Sequence, residues 1–129
     1  MKIELNDIPG ASLSPGKIFF TKRWFLTAGE TDSRGLMPIR LIAMRAIETA
    51  TDHSNVLEIG YANLMKYRIG WVLVRLSIEV IRYPEINETY SMTTWIEGYN
   101  RFFSNRCHET IPQPGTRNFI FIFSYLREK

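Results

Sequence analysis

The sequence is poor in the residues that announce most chemistries. A single cysteine, Cys107, stands among 129 residues, so no disulfide can form within the chain. That predicts a reducing, cytoplasmic setting. Only two histidines occur, His53 and His108, and no Cys/His/Asp spacing has the form that holds a metal. Gly29 and Gly35 stand alone, which leaves no phosphate-cradling loop and no sign of a bound cofactor. No apolar run approaches the roughly 20 residues that span a bilayer. The start, Met1-Lys2-Ile3-Glu4-Leu5-Asn6-Asp7, is broken by acidic and polar residues where a signal peptide needs an uninterrupted apolar segment. Sixteen Lys and Arg against 13 Asp and Glu give a net charge of +3. The basic residues are scattered rather than gathered into a stripe with stacking aromatics. This argues against nucleic acid and is compatible with an acidic protein partner.

What is present belongs to an ordinary folded domain. Apolar residues make up 45% and charged residues 22%, enough to offset chain entropy with a core. Residues 1–16 hold Pro9, Gly10, Ser12, Ser14, Pro15 and Gly16 and predict an irregular lead-in to a single domain over 17–129. Lys17 to Ala28 predicts a strand with Ile18, Phe20, Trp24 and Leu26 on one face. Asp32 or Ser33 is then placed to cap a helix in which Ile39, Ile42, Ala46, Ala50 and His53 recur at spacings of three and four, with Ala43 and Ile47 widening the stripe. A shorter helix is predicted over Asn55 to Arg68, with Leu57, Tyr61, Leu64 and Met65 on one side. Trp71 to Ile81 predicts a long strand whose Val72, Val74, Leu76, Ile78 and Val80 share a face against Arg75, Ser77 and Glu79. Further strands are expected at Thr89 to Glu97, Arg101 to Cys107 and Phe119 to Phe123. One long helix followed by a strand-rich half fits an α+β fold in which a curved antiparallel sheet wraps the helix, the hot-dog architecture.

Several stretches resemble the acyl-acyl carrier protein (acyl-ACP) thioesterases. They are Glu30-Thr31-Asp32-Ser33-Arg34-Gly35, Ala50-Thr51-Asp52-His53, Leu57-Glu58-Ile59-Gly60-Tyr61-Ala62-Asn63-Leu64, Gly70-Trp71-Val72-Leu73-Val74-Arg75-Leu76, Arg82-Tyr83-Pro84, Asn87-Glu88-Thr89 and Thr94-Trp95-Ile96-Glu97. Family members join two hot-dog domains in one polypeptide, and these stretches resemble the first. The resemblance implies hydrolysis of acyl-ACP to free fatty acid, with acyl carrier protein as partner and no cofactor. It also implies that the catalytic aspartate, asparagine and histidine lie at alternate positions before the helix of the second domain. In the matching stretch here only Asp32 is kept; Arg34 and Leu36 stand where asparagine and histidine would be. From about Cys107 the chain departs from the family pattern, which predicts a shifted or truncated reading frame.

The candidate residues follow. Peptide N–H groups near Gly35 and Leu36, with Pro38 in the first helical turn, form a possible anion-friendly site. Asp32 and His53 are the weak catalytic candidates; their plainer roles are a helix cap for Asp32 and, for His53, a helix-end histidine favoured by the dipole or satisfied by a core hydrogen bond. Ile39, Ile42, Ala43, Ala46 and Ile47 are expected to floor an acyl site, and the resemblance adds Trp71 and Arg75 at its border. Trp24 and Trp95 read as core or interface aromatics, and Glu48 as a mid-helix carboxylate that is either buried against the sheet or, as is commoner, solvated or ion-paired. Cys107 and His108 are adjacent on a strand and so point apart, which disfavours a nucleophile–base pair. The expected function is that of an acyl-binding half of a thioesterase, weak or inactive alone. The rivals are a non-catalytic acyl-binding or scaffold module and a homodimeric hot-dog acyl-CoA thioesterase or dehydratase.

Overall fold

The computed structural model describes residues 3–60, 64, 66, 71–99, 103–111 and 120–128. Among the described residues six strands form: β1 (Ala11–Leu13), β2 (Phe20–Phe25), β3 (Trp71–Val80), β4 (Thr89–Tyr99), β5 (Phe103–Ile111) and β6 (Ile120–Glu128), with apolar and polar side chains alternating along the second half of β3. They make one curved sheet in the order β1-β2-β4-β5-β6-β3, with every neighbouring pair antiparallel. The one long helix among the described residues, α1 (Ile39–Val56), packs on β4 and β2. This is the α+β hot-dog arrangement that the pattern predicts. The meander β4-β5-β6 is as expected, but β3 lies beside β6 and ends the sheet rather than joining β4.

Ile42, Ala46, Thr49 and His53 repeat at intervals of four, three and four, and all four are buried. Ile42 and Ala46 join Leu26, Met37, Tyr90 and Met92 in the core, and Leu76, Ile78 and Val80 of β3 pack against them. Each large apolar side chain buried in this way contributes about 1.5–3 kcal/mol. The buried stripe is narrower than its spacing predicts, since Ile39 and Ile47 are 53% and 49% exposed. The cause is on the other flank of the helix. Glu48 and Asp52 both close on Lys22 of β2, which rolls Ile39, Ala43, Ile47 and Ala50 away from that end of the sheet.

Three boundaries differ from expectation. Residues 11–13 of the lead-in form β1, which pairs with β2 in a ladder too short and polar to show in the sequence. Ile18 is 56% exposed and leaves the strand face, because Ser14 ties the preceding turn to Phe19 through both its hydroxyl and its backbone N–H. At the far end, α1 runs on to Val56, with the Leu57 N–H bonded to the His53 carbonyl and the Ile59 N–H to that of Ser54. Glu58 takes the left-handed backbone between them (φ 64), so a helix starting at Asn55 is replaced by a helix end. Tyr61 and Met65, on the second helix anticipated here, lie outside the described residues. No helix among the described residues is long and apolar enough to cross a membrane.

Candidate functional site

The loop before α1 is built by Asp32. Its Oδ1 accepts the backbone N–H groups of Arg34 (2.8 Å) and Leu36 (3.1 Å), and its Oδ2 accepts Arg34 Nη2 at 3.0 Å. The Leu36 N–H bond, helped by Arg34, holds the Asp32 carboxyl below the usual carboxylate range. The helix begins seven residues later with Pro38 as its N-cap. Asp32 therefore caps a loop and not the helix, contrary to the sequence expectation. The nearby amides are spent as well: the Gly35 N–H bonds the Asp32 carbonyl at 3.0 Å, and the Met37 N–H bonds the Pro84 carbonyl at 2.8 Å. With these donors engaged, the loop holds no free oxyanion cradle at Gly35 and Leu36.

His53 lies at the helix–sheet seam and is 1% exposed. Its Nδ1 faces Arg106 Nη1 at 2.8 Å, and its Nε2 faces the Lys17 carbonyl at 3.1 Å. A guanidinium only donates and a carbonyl only accepts, so Nδ1 carries the lone pair and Nε2 the proton. Burial, with the Arg106 charge adding to it, brings the His53 pKa down to about 4. Phe20 stacks on the ring at 5.5 Å. Lys17 takes a left-handed backbone (φ 61) where it presents that carbonyl, a conformation costing roughly 1–2 kcal/mol. Arg106 reaches Thr94 Oγ1 (3.3 Å) and Ser54 Oγ (3.4 Å) as well, and burial lowers its pKa to about 10. A general base needs a lone pair aimed at substrate. The His53 lone pair is given to Arg106, so the geometry makes His53 a pin between helix and sheet.

Cys107 and His108 point apart, as adjacent strand residues must. Cys107 Sγ donates to Glu97 Oε2 at 2.9 Å, and His108 Nε2 meets the Ala46 carbonyl at 3.0 Å. Burial, and then the Glu97 carboxylate, push the Cys107 thiol up to about 12, so it carries no thiolate near neutrality. Among the described residues no cluster of His, Cys, Asp and Glu could hold a metal ion.

The description "Acyl-ACP thioesterase N-terminal domain" matches residues 17–123. The chain belongs to the acyl-ACP thioesterase family. Among solved structures it resembles an acyl-ACP thioesterase from Bacteroides thetaiotaomicron (TM-score 0.84, 24% identity, covering 90% of this chain and 47% of that one). It also resembles a putative oleoyl thioesterase from Lactobacillus plantarum (TM-score 0.80, 19% identity, covering 91% and 45%). A 1,4-dihydroxy-2-naphthoyl-CoA thioesterase from Synechocystis is similar over 85% of this chain and 81% of its own length (TM-score 0.75, 12% identity). At these identities the likeness is one of fold. The chain spans about half the length of the first two. No curated protein matches it. The family match runs through Cys107 to residue 123, and β5 and β6 complete the sheet across the region where the sequence departs from the expected pattern.

In this acyl-ACP thioesterase domain the residues expected at the acyl site divide into two groups. Ile42 and Ala46 are sealed in the core, whereas Ile39, Ala43 and Ile47 lie along the outward apolar flank of α1. Arg75 is exposed on the face of β3 opposite Leu76 and Ile78, so it does not meet the helix. The Trp71 side chain lies outside those described. Sequence reasoning missed a charged ribbon on the other flank of α1. Arg45 bonds Glu30 (2.6 Å) and Glu48 (2.9 Å), and Lys22 bonds Glu48 (3.0 Å) and Asp52 (2.9 Å). Burial alone would raise the Glu48 pKa, but the Lys22 and Arg45 hydrogen bonds outweigh it and hold it low. Trp24 stacks on Tyr90 at 5.6 Å, with Lys22 and Arg45 each 5.2 Å from its ring centre. The signal was readable: Lys22 falls on the inner face between Phe20 and Trp24, and a lysine there demands carboxylates.

Proposed function

We propose that the chain is the acyl-holding first lobe of an acyl-ACP thioesterase, receiving fatty acyl chains from acyl carrier protein, with hydrolysis carried by a second hot-dog lobe joined at the β3 edge. A reducing, cytoplasmic setting suits a domain whose one cysteine is a buried thiol. The observation that carries the proposal is the division of labour on α1. Its charged flank is locked onto β2, while Ile39, Ala43 and Ile47 leave an apolar flank open beside a loop with no water-activating group. Asp32 is spent on its own backbone, and Leu36 can neither take nor give a proton. An apolar strip without a base binds an alkyl chain and does not cut its thioester.

A fluorescent acyl-pantetheine titrated into the chain tests this. Ile39→Asp and Ile47→Asp change exposed side chains and leave the core intact. Each is expected to weaken binding about tenfold or more, since a carboxylate in an alkyl site costs well over 1.4 kcal/mol. Ile47→Leu should bind like the parent. No acyl binding by the parent, or full binding by both Asp variants, would refute the proposal.

A further inference from the structure

The apolar flank of α1 has two unlike ends. Ile39, Ala43, Ile47 and Ala50 follow one another at intervals of four, four and three, which keeps them on one side of the helix. Exposure falls at the end of this line. Ile39 is 53% and Ile47 49% exposed, whereas Ser54, the next position four residues on, is 8% exposed. Ala43 and Ala50 carry single methyl groups, so beside them an alkyl chain can lie close to the helix backbone. At the open end Arg40, next to Ile39, is exposed. At the closed end the surface changes character. Ser54 Oγ accepts Arg106 Nη2 at 3.4 Å, and the same guanidinium, 2% exposed, reaches Thr94 Oγ1 and His53 Nδ1. The apolar strip runs into a buried cation and its hydrogen-bonded partners.

We propose that the Ser54–Arg106 pair is the stop that limits the acyl chain held along α1, so that the strip takes chains of up to about 13 carbons. The inference rests on the reading of this chain as an acyl-holding lobe and adds which chains it holds. The length follows from the helix. From Ile39 to Ala50 the backbone rises about 16 Å, at about 1.5 Å per residue. An extended alkyl chain advances about 1.25 Å per carbon, given carbon–carbon bonds of about 1.5 Å, and so spans that distance with about 13 carbons. Each further carbon lies over Ser54 and Arg106. A methylene there gains little apolar contact and crowds groups that need their hydrogen bonds. That penalty offsets the gain, and affinity levels off. The orientation follows as well. A thioester is polar and carries the pantetheine arm, which fits the exposed Ile39 end, so the terminal methyl is the end that meets Ser54.

The test is displacement of a fluorescent acyl-pantetheine from the full chain by acyl-pantetheines of C8 to C18, each below its micellar concentration. Affinity should climb about threefold or more for each added pair of carbons up to C12, and C16 and C18 should bind within about twofold of C14. Ala50→Leu raises the far end of the strip at a half-buried position outside the core cluster. It should weaken C14 about tenfold and C8 less than about twofold. Arg106→Met keeps a long side chain and removes the charge, and should let C16 bind about threefold tighter than C14. Ala50→Leu decides the matter if Arg106→Met does not fold. Affinity that climbs steadily through C18 in the parent overturns the stop and leaves the acyl reading standing. So does equal weakening of C8 and C14 by Ala50→Leu, or a folded Arg106→Met whose ceiling stays at C14. A parent that binds no chain of any length overturns the acyl reading, and the stop with it.

Discussion

Acidification is expected to weaken this domain through His53, and the size of the effect follows from its geometry. In the unfolded chain the imidazole titrates at its ordinary value, whereas in the fold its pKa is about 4. Between those values the unfolded state binds the extra proton, so stability is fully present above pH 6.5 and is lost as pH falls toward 4. The whole interval is worth about 3 kcal/mol, and going from pH 7 to pH 4.5 removes about 2 kcal/mol of it. Protonation would cost the lone pair that Arg106 Nη1 now reaches at 2.8 Å and set two cations side by side. His53→Gln separates this term from the titrating carboxylates. The glutamine oxygen can accept from Arg106 and its amide can donate to the Lys17 carbonyl, and the side chain does not titrate. Urea unfolding of both proteins at pH 7 and pH 4.5 should show the parent losing about 2 kcal/mol more than the variant. Parallel losses, or a His53 ring that titrates near pH 6.5 by NMR in the native state, would refute the reasoning.

Three other outcomes are expected. Cys107, buried and held protonated, should react with a thiol reagent at pH 8 only as fast as the domain opens, and at once when unfolded; rapid labelling of the native chain would contradict its placement. Gly10→Ala should destabilise the β1–β2 edge by about 1–2 kcal/mol, read as a lowered denaturation midpoint, because Gly10 sits at φ 74 and a Cβ there would stand 2.9 Å from the Arg23 carbonyl. Arg45→Met should cost about 1 kcal/mol at low salt and less at high salt, since its partners Glu30 and Glu48 are 28% and 38% exposed; a salt-independent loss above 3 kcal/mol would mean a core role instead.

The sequence made the long elements legible because their periodicity is carried by many residues. Leu76, Ile78 and Val80 against Ser77 and Glu79 define β3, and Ile42, Ala46 and His53 define the buried line of α1. It did not show which side of the apolar stripe would be buried. That choice is made by Lys22, whose pull on Glu48 and Asp52 turns the helix, and contacts 26 and 30 residues apart leave no local trace. Asp32 looked like a helix cap because Asp before a helix usually is one; the loop from Asp32 to Leu36 folds back on its carboxylate before the helix starts. Arg106 went unnoticed because its strand is weakly patterned and a buried arginine is recognised only with its partners. The resemblance carried the family, and the family match supports it over 17–123.

The most direct check on an apolar lobe without hydrolytic machinery combines two readouts on one sample of the chain, mixed with acyl-ACP. Acyl retention on the protein and free thiol released from the carrier would be followed together. The expected result is saturable acyl binding with thiol release at the background rate. Turnover well above background would contradict the account, and its loss in Asp32→Asn or His53→Gln would name the group responsible.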